Sequence, residues 1–177
     1  PGKVLKKING KTLIHITLHR LSKSKKINKI IVATSELNEN NDLVIEVEKL
    51  GYEVFRGSEN NVLKRYYDAA KLFNATSIVR ITGDCPLVDY QIVDKTISLY
   101  EKNNADYSSN IKPPSFPDGL DVEVFKMSCL TFAYKNAKTT YEKEHVTPFI
   151  KDNKTFKKVN LNCKKDLSNE RWTVDEL

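Results

Sequence analysis

The sequence contains no long hydrophobic run and few cysteines. No apolar stretch approaches the roughly eighteen residues that a membrane-spanning helix needs, which predicts a soluble globular domain. The three cysteines, Cys85, Cys129 and Cys163, lie far apart, without a CxxC pair or the spacing of metal ligands. A dispersed, odd set of this kind indicates reduced thiols and a cytoplasmic location.

Arginine is also scarce, although the chain is basic. Lysine and arginine number 29 against 23 aspartate and glutamate, a net charge of +6, and only five of the 29 are arginine. The lysines lie in every segment, whereas nucleic-acid-binding proteins more often concentrate positive charge on one face and use arginine for contacts with bases. The composition therefore favours solvated surface lysines over a nucleic-acid interface, and it is compatible with binding of small anionic molecules.

The chain does contain enough apolar residues for one core, since 40% of its 177 residues are hydrophobic. Two hydrophobic periods alternate along it. Short β-branched or alternating runs predict strands at 29–34, 52–55, 77–82, 105–109, 121–125 and 171–174. Helical spacing predicts helices at 12–21, 41–50, 61–73, 89–100, 128–137 and 143–151. This alternation predicts an α/β protein in which crossover helices connect parallel strands.

The first predicted helix, 12–21, follows only a short basic turn. A βαβ unit requires a strand before such a helix, so we expect a first strand to precede Pro1 in the complete protein. The chain also stops at Leu177, just after a predicted strand. The sequence therefore predicts a piece of a longer chain.

The segment around Asp84 carries the most information about function. An apolar predicted strand ends in Gly83-Asp84, which places a carboxylate at the carboxyl edge of a parallel sheet, where open α/β folds bind ligands. Glycine lets a ligand approach the backbone, and a carboxylate can hold a hard cation that in turn holds phosphates. On spacing alone, an ordinary turn before Pro86 accounts for Asp84 equally well. Cys85 has no histidine nearby in the sequence, and we interpret it as a buried core residue.

Three further acidic residues lie in predicted strands or directly after one. Asp175 ends the strand at 171–174, and Asp121 and Glu123 share one face of the strand at 121–125. A pair of acids one pleat apart either flanks a polar ligand or faces solvent in an edge strand. Without further context, the pattern favours exposure to solvent.

The histidines are few and carry weaker signals. Glu144 and His145 precede Pro148, which predicts that any helix there ends or kinks. A lone histidine is more often a surface residue than a catalytic base. His15 and His19 are four residues apart on the first helix, but no third ligand accompanies them, so we interpret both as ordinary helix surface.

Seven segments, taken in order, resemble the motifs of one family. They are Pro1-Gly2-Lys3, Ile31–Thr34, Phe55–Ser58, Val79–Leu87, Gly119–Phe125, Glu144–Pro148 and Arg171–Asp175. Together they resemble the cytidylyltransferases of the spore coat polysaccharide biosynthesis protein F type, which are related to the CMP-acylneuraminate and CMP-3-deoxy-manno-octulosonate synthetases. The resemblance covers essentially the whole chain.

This resemblance implies a three-layer, Rossmann-like fold of the nucleotide-diphospho-sugar transferase type, with a mixed, mostly parallel sheet and helices on both faces. It implies transfer of CMP from CTP to a sugar or sugar acid, with release of pyrophosphate, for surface polysaccharide biosynthesis. Mg²⁺ is the implied cofactor. CTP and the sugar are the implied partners, without nucleic acid or membrane, and a homodimer is left open. Residues 1–177 would then be a single nucleotidyltransferase domain that lacks its first strand and phosphate loop at the N-terminus and its last helix at the C-terminus.

The family's functional residues carry over by position. Asp84 and Asp175 resemble the two metal-binding aspartates, and Lys3 resembles the lysine that neutralises the triphosphate, so Lys3 and Asp84 are the catalytic candidates. The nucleotide-binding candidates are Lys3, Arg80, Thr82 and Gly83, and the sugar-binding candidates are Asp121, Glu123, Glu144 and His145. Thr82 stands where the related synthetases have a glutamine. We expect Asp84 and Asp175 to face one another across the nucleotide site.

Two other functions remain open. A glycosyltransferase of similar fold would consume a nucleotide sugar, but such enzymes usually carry an Asp-x-Asp metal motif, and 83–86 contains a single aspartate. A basic binding module without catalysis, for example for nucleic acid, would show binding that falls steeply with salt.

Overall fold

Strands and helices alternate along residues 2–174, the part of the chain that this computed structural model describes. The strands are β1 (Lys7–Ile8), β2 (Lys11–Thr12), β3 (Ile31–Ser35), β4 (Glu53–Gly57), β5 (Ser77–Arg80), β6 (Tyr107–Ser109), β7 (Glu123–Lys126) and β8 (Lys158–Asn160). The α-helices are α1 (Leu13–Leu21), α2 (Asn41–Lys49), α3 (Val62–Leu72), α4 (Tyr90–Lys102), α5 (Met127–Asn136), α6 (Thr140–His145) and α7 (Pro148–Asp152). Short 3₁₀ turns occupy Lys3–Leu5 and Asn38–Asn40.

The described strands form three separate ladders. β1 and β2 form a short antiparallel hairpin, β3 pairs in parallel with β4, and a four-stranded sheet has the order β5-β7-β6-β8. In that sheet β7 runs antiparallel to both β5 and β6, while β6 pairs in parallel with β8. The predicted α/β class is confirmed, but the described sheet is only partly parallel. No helix lies between β6 and β7, so the chain returns through an irregular loop and the two neighbouring strands pair antiparallel.

Several helices begin and end at residues whose chemistry favours a helix end. The Thr12 side chain accepts a hydrogen bond from the His15 amide at the start of α1, and the Asp89 side chain accepts one from the Gln91 amide at the start of α4. Gly51, just after α2, has φ of +82°, a conformation that glycine adopts without steric cost. These local signals explain why the predicted starts of α1 and α4 are confirmed to within a residue.

The helices lie in layers on the two faces of the strands. Because successive side chains of a strand point to opposite faces, Ile78 and Phe125 pack with α3, α5 and α7, whereas Val79 and Val124 pack with α4. α1 and α2 pack together through Leu18 and neighbouring apolar residues. The three-layer arrangement implied by the motifs is thereby confirmed. Within residues 2–174, none of the helices has the length and apolar character needed to span a bilayer.

Two predicted elements are wrong. The single helix predicted at 143–151 is two helices, α6 and α7, because Val146 has φ of +69° and the Thr147 amide bonds the His145 carbonyl at 2.7 Å, which makes a tight turn. Pro148 then starts α7 at its first position, where its missing N–H costs nothing. The strand predicted at 171–174 is reduced to an isolated bridge of Arg171. The prediction also missed the β1–β2 hairpin and β8, which are short and rich in lysine.

Candidate active site

Asp84 lies in the turn that follows β5, and the structure brings it together with two other predicted site residues. Burial acts to raise the pKa of Asp84, but a hydrogen bond with the Thr82 side chain, a backbone hydrogen bond and the charge of Lys3 outweigh it, so the pKa lies below its ordinary value. The carboxylate is therefore ionised at neutral pH. Thr82 acts here on Asp84, which the sequence did not indicate.

Val4, which follows Lys3 in the first 3₁₀ turn, contacts Gly83. The Cγ1 atom of Val4 lies 3.4 Å from the position that a Cβ on Gly83 would take, an ordinary contact distance. Gly83 itself is exposed. The start of the described chain thus lies against the turn of Asp84, although the two segments are distant in sequence.

The end of the described chain lies against the same turn. The Val174 amide donates a hydrogen bond to the Asp84 carbonyl at 3.0 Å, and the Trp172 amide donates one to the Asp118 carbonyl at 2.6 Å. Gly119 has φ of +105°, and a Cβ there would lie 2.7 Å from the backbone of Trp172, so only glycine fits. Asp175 lies outside the described residues, and its predicted position opposite Asp84 stays a prediction.

Arg80 and Glu123 form a buried ion pair. An Arg80 Nη1 to Glu123 Oε2 distance of 2.6 Å joins them, and the Tyr107 hydroxyl donates to Glu123 Oε1 at 2.6 Å. Lys151 Nζ lies 3.8 Å from the same Oε1 atom. Glu123 is only 2% exposed, so the predicted exposure of this residue is wrong. Its carboxylate lies in the interior, close to the charged groups of Arg80 and Lys151 and to the Tyr107 hydroxyl.

Asp121 lies near the other carboxylates but not in a strand, since β7 begins at Glu123. The pKa of Asp121 is raised to about 6, first by burial and then by the negative charges of Asp118, Glu123 and Asp84, while the charge of Arg80 lowers it. The region around Asp84 and Asp121 therefore holds surplus negative charge. Within residues 2–174, no group of three histidine, cysteine or acidic side chains has an arrangement that would hold a metal alone.

A divalent cation fits this chemistry. Mg²⁺ prefers oxygen ligands, keeps several waters and is usually held by one or two carboxylates together with substrate phosphates. Asp84 offers an ionised carboxylate, and the pKa of Asp121 is raised by burial and also by the negative charges near it. A site of this kind is completed by a phosphate-bearing substrate and does not need a cage of protein ligands.

Glu144 and His145 share no described contact with Asp84 or Arg80. Both are exposed at the end of α6, where the His145 ring contacts Tyr141 with centroids 4.6 Å apart. In the described part of the chain, no hydrogen bond or ion pair links either residue to Asp84 or Arg80. Their predicted contact with the sugar stays a prediction.

Cys85 is buried, as predicted. The pKa of its thiol is raised to about 12, mainly by burial and also by the charges of Asp84 and Asp121, while a hydrogen bond with Thr82 lowers it. A thiol with such a pKa stays protonated at neutral pH and is a poor nucleophile. The interpretation of Cys85 as a core residue is confirmed.

Three residues near the site escaped the sequence analysis: Tyr107, Asp118 and Lys151. Asp118 could have been found, because it precedes a glycine in a loop that joins two predicted strands. Lys151 could not, since nothing distinguishes it from the other lysines of a lysine-rich chain. For Tyr107 the sequence predicts only a strand, and the hydroxyl contact depends on the register of β6 against β7.

Comparison with known proteins agrees with the motifs and the fold. A family model described as cytidylyltransferase matches residues 1–173. The chain is 46% identical over 158 residues to an uncharacterized protein of Methanocaldococcus jannaschii. This match covers 89% of this chain and 64% of that protein. It is 30% identical over 155 residues to the spore coat polysaccharide biosynthesis protein SpsF of Bacillus subtilis. This match covers 82% of this chain and 65% of SpsF.

A solved structure extends the comparison to the fold. The structure of a cytidylyltransferase from Leptospira borgpetersenii serovar Hardjo-bovis matches with a TM-score of 0.94 and 35% identity, over 99% of this chain and 75% of that one. The resemblance drawn from the seven motifs is confirmed. The chain spans just under two thirds of the length of the two curated relatives.

Proposed function

Since the chain belongs to the cytidylyltransferase family, we propose that its protein transfers CMP from CTP to a sugar or sugar acid and releases pyrophosphate. The observation that carries this proposal is the ionised Asp84 carboxylate beside Lys3, in a turn at the end of a sheet strand. Such an edge is where open α/β folds bind nucleotides. The name of the relative SpsF supports surface polysaccharide assembly as the setting.

The first requirement of this reaction is that the charge on the CTP phosphates be neutralised. Nucleotidyl transfer needs neutralised phosphates, an acceptor oxygen in line and a stabilised pyrophosphate. We assign Lys3 to the phosphates and the exposed Gly83 to close approach of the nucleotide. Thr82 holds Asp84 in its ionised form through their hydrogen bond. We assign Arg80, which forms an ion pair with Glu123, to the nucleotide side, where it limits the negative charge.

Asp84 and Asp175 are the residues that we propose to hold Mg²⁺. Support for Asp175 comes from Val174, the preceding residue, whose amide bonds Asp84. When bound, a divalent cation neutralises triphosphate charge and stabilises the pyrophosphate leaving group. Asp84 contributes a carboxylate whose low pKa keeps it available for a cation across the neutral range.

The acceptor sugar supplies its own hydroxyl as nucleophile, so no serine or cysteine nucleophile is required. We assign Asp121, Glu144 and His145 to the sugar. Asp121 is the best placed, because its charge interacts with that of Asp84 and its carboxylate can accept a hydrogen bond from a sugar hydroxyl. Glu123 contributes indirectly, by fixing the position of Arg80.

The test is a pyrophosphate-release assay with CTP, ATP, GTP and UTP, each with Mg²⁺ and a panel of sugar acids. We expect release with CTP, and a loss of about 100-fold or more in the Asp84→Asn variant, because the amide keeps the shape but not the charge. Asp152→Asn is the matched control, since Asp152 has a side chain 75% exposed on α7. It should keep the activity unchanged.

Three outcomes would contradict the proposal. Equal release with all four nucleotides would remove the preference for CTP. Turnover of a nucleotide sugar without pyrophosphate release would indicate a glycosyltransferase. Salt-sensitive binding of DNA without any turnover would indicate a basic binding module.

A further inference from the structure

The Glu123 carboxylate lies among more hydrogen-bond donors than it binds. Arg80 Nη1 and the Tyr107 hydroxyl each donate to it at 2.6 Å. Lys151 Nζ lies 3.8 Å from Glu123 Oε1, which is close enough for a charge interaction but too long for a hydrogen bond. Among residues 2–174, this ammonium donates no hydrogen bond. Its three N–H donors are therefore available to a ligand.

These four side chains, which we call the Glu123 cluster, carry one more positive charge than negative. Arg80 and Lys151 are cations, Glu123 is the anion, and Tyr107 is neutral because burial and the Glu123 charge raise its pKa. The side chain of Glu123 is only 3% exposed, whereas those of Arg80 and Lys151 are 18% and 25% exposed. Solvent, and with it a ligand, reaches the cluster from its positive side.

Two buried polar atoms at the Glu123 cluster have no hydrogen-bond partner in the described range. They are Arg80 Nε, and Thr147 Oγ1 at the start of α7. The Lys151 amide donates to the Thr147 carbonyl at 2.9 Å, so these two residues are one helical turn apart and share a face. Buried polar groups are almost always paired, and arginine and lysine side chains can only donate. The partner that is missing here therefore accepts hydrogen bonds.

The Glu123 cluster adjoins a residue already assigned to the sugar. Asp121 lies two residues before Glu123, about 7 Å along an extended chain. The charges of Glu123 and Asp84 both act on Asp121, so Asp121 is close to the cluster and to the candidate metal-binding carboxylate. The charge of Lys3 acts on Asp84. The triphosphate therefore has a lysine of its own, and Lys151 is left for the acceptor.

A strained turn sets the direction of α7 and thus the position of Lys151. Val146 is completely buried and has φ of +69° and ψ of −55°, an outlier for a β-branched residue. Strain of this kind persists only where the surrounding structure fixes it, and it is concentrated at binding sites. The same turn directly follows Glu144 and His145, the other residues assigned to the sugar.

We propose that Lys151 binds a negatively charged group of the acceptor, a carboxylate or a phosphate, and so selects anionic acceptors over neutral sugars. This inference rests on the proposed cytidylyl transfer and names the class of its acceptor. The anion accepts hydrogen bonds from the ammonium and balances the surplus positive charge of the Glu123 cluster. Such charge-assisted hydrogen bonds are about twice as strong as those between neutral groups. Glu123 is a positioning residue, because it holds Arg80 and attracts the Lys151 ammonium to this place.

An NMR titration tests the binding without turnover. Reductive methylation with ¹³C-formaldehyde labels the lysines and keeps their charge, and the signals missing from Lys151→Met and Lys154→Met identify the two residues. Lys154 is exposed and lies three residues further along, which makes it the matched control. The probes are glucuronate, glucose 6-phosphate and the uncharged glucuronamide. We expect a charged probe to shift the Lys151 signal at a concentration about tenfold or more below that of glucuronamide, and to leave the Lys154 signal unchanged.

Which charged probe acts separates a carboxylate from a phosphate. Kinetics with the sugar acid or sugar phosphate that gives the most pyrophosphate release then test the same contact during turnover. Lys151→Met should raise the KM for the acceptor by about tenfold or more and leave kcat and the KM for CTP within about twofold. Lys151→Arg keeps the charge and should stay within about threefold of the unmodified protein. A merely structural role of Lys151 would instead lower the melting temperature and change the KM for CTP as well.

A Lys151 signal that shifts with a charged probe alone, together with the change in acceptor KM, supports the inference. Equal shifts of the Lys151 and Lys154 signals, equal shifts with glucuronamide, or no shift with either charged probe would overturn it. So would a folded Lys151→Met variant whose acceptor KM matches that of Lys154→Met, and in that case the transfer of CMP would still stand. If no nucleotide gives pyrophosphate but a charged probe still shifts the Lys151 signal, the proposed transfer fails and the anion site stands.

Discussion

Arg80 and Glu123 are register partners on the antiparallel strands β5 and β7, and their side chains form an ion pair inside the protein. The ion pair holds β5, the strand before Asp84, against β7, the strand after Asp121. Because Glu123 also accepts from Tyr107, one carboxylate joins β5, β6 and β7. The position of Asp84 thus depends on a contact in the core as well as on its own turn.

Removal of one member of this pair should be strongly destabilising. We expect Glu123→Ala to lower the free energy of unfolding by about 3–5 kcal/mol, because the Arg80 charge would stay buried without its partner. The double variant Arg80→Met, Glu123→Leu should lose less than Glu123→Ala alone. Urea denaturation of the three proteins checks this, and a loss below about 1 kcal/mol in Glu123→Ala would show that water reaches Arg80 and replaces the carboxylate.

The raised pKa of Asp121 predicts how stability depends on pH. Its pKa is about 6 in the folded protein, above the ordinary value of 3.8, so the folded state binds the proton more tightly. Protonated Asp121 therefore stabilises the folded state; this contribution is fully present below pH 3.8 and is lost as the pH rises through 6. Asp121→Asn should therefore be more stable than the unmodified protein at pH 7.5, by about 1–2 kcal/mol after allowance for partial exposure, and nearly equal at pH 4.

Melting temperatures of the two proteins at pH 4 and pH 7.5, without divalent cations, check this prediction. Addition of Mg²⁺ at pH 7.5 should narrow the difference, because a cation near Asp84 would offset the negative charge that raises the Asp121 pKa. An Asp121→Asn variant that is less stable at both pH values would contradict the electrostatic account.

Gly119 predicts a difference between two glycine substitutions. Both Gly119 and Gly51 have positive φ, but only at Gly119 would a Cβ meet backbone, since nothing lies within 4 Å of the Cβ position at Gly51. Gly119→Ala should therefore cost roughly 1–3 kcal/mol more than Gly51→Ala, as overpacking is added to backbone strain. It should also reduce turnover, because 172–174 would be displaced from Asp84.

Thermal denaturation and the pyrophosphate assay measure both effects. If Gly119→Ala and Gly51→Ala proved equally stable and equally active, the close approach of the Trp172 backbone to this loop would not matter to the site.

The thiol of Cys85 should be inert. Its pKa of about 12 and its burial predict no alkylation by iodoacetamide at pH 8 in the folded protein, whereas Cys163, which is partly exposed, should react. Cys85→Ser should keep turnover within about threefold, since no step requires a thiolate. Mass spectrometry of peptides after brief labelling checks the first expectation, and rapid modification of Cys85 would contradict it.

The sequence predicted those parts of the fold that depend on local chemistry. Thr12 and Asp89 cap helices through their own side chains, and the apolar spacing after each continues the helix, so α1 and α4 were predictable. Glu123 was not, because alternation shows which residues share a face but not whether that face is covered. Its partner Arg80 lies on another strand, and only the pairing of β5 with β7 brings the two together.

The candidate site was predictable only at its centre. The turn at Gly83-Asp84 follows from a strand that ends in a glycine and an aspartate. The docking of 172–174 was not predictable, because it depends on backbone hydrogen bonds to Asp84 and Asp118, and such bonds leave no trace in the choice of side chains. The break at Val146 was signalled only by Pro148, since nothing in a valine indicates a positive φ.

The mixed order of the strands has a consequence for how quickly the site can form after synthesis. β3, α2 and β4 are contiguous in the chain, so their pairing closes a short loop, whereas β5 must find β7 and β6 must find β8 across long stretches. Loop-closure entropy makes such distant pairings the slow part of folding. Asp84 and the segment that docks on it thus reach their final arrangement late, and the unpaired carboxylates spend that interval in water.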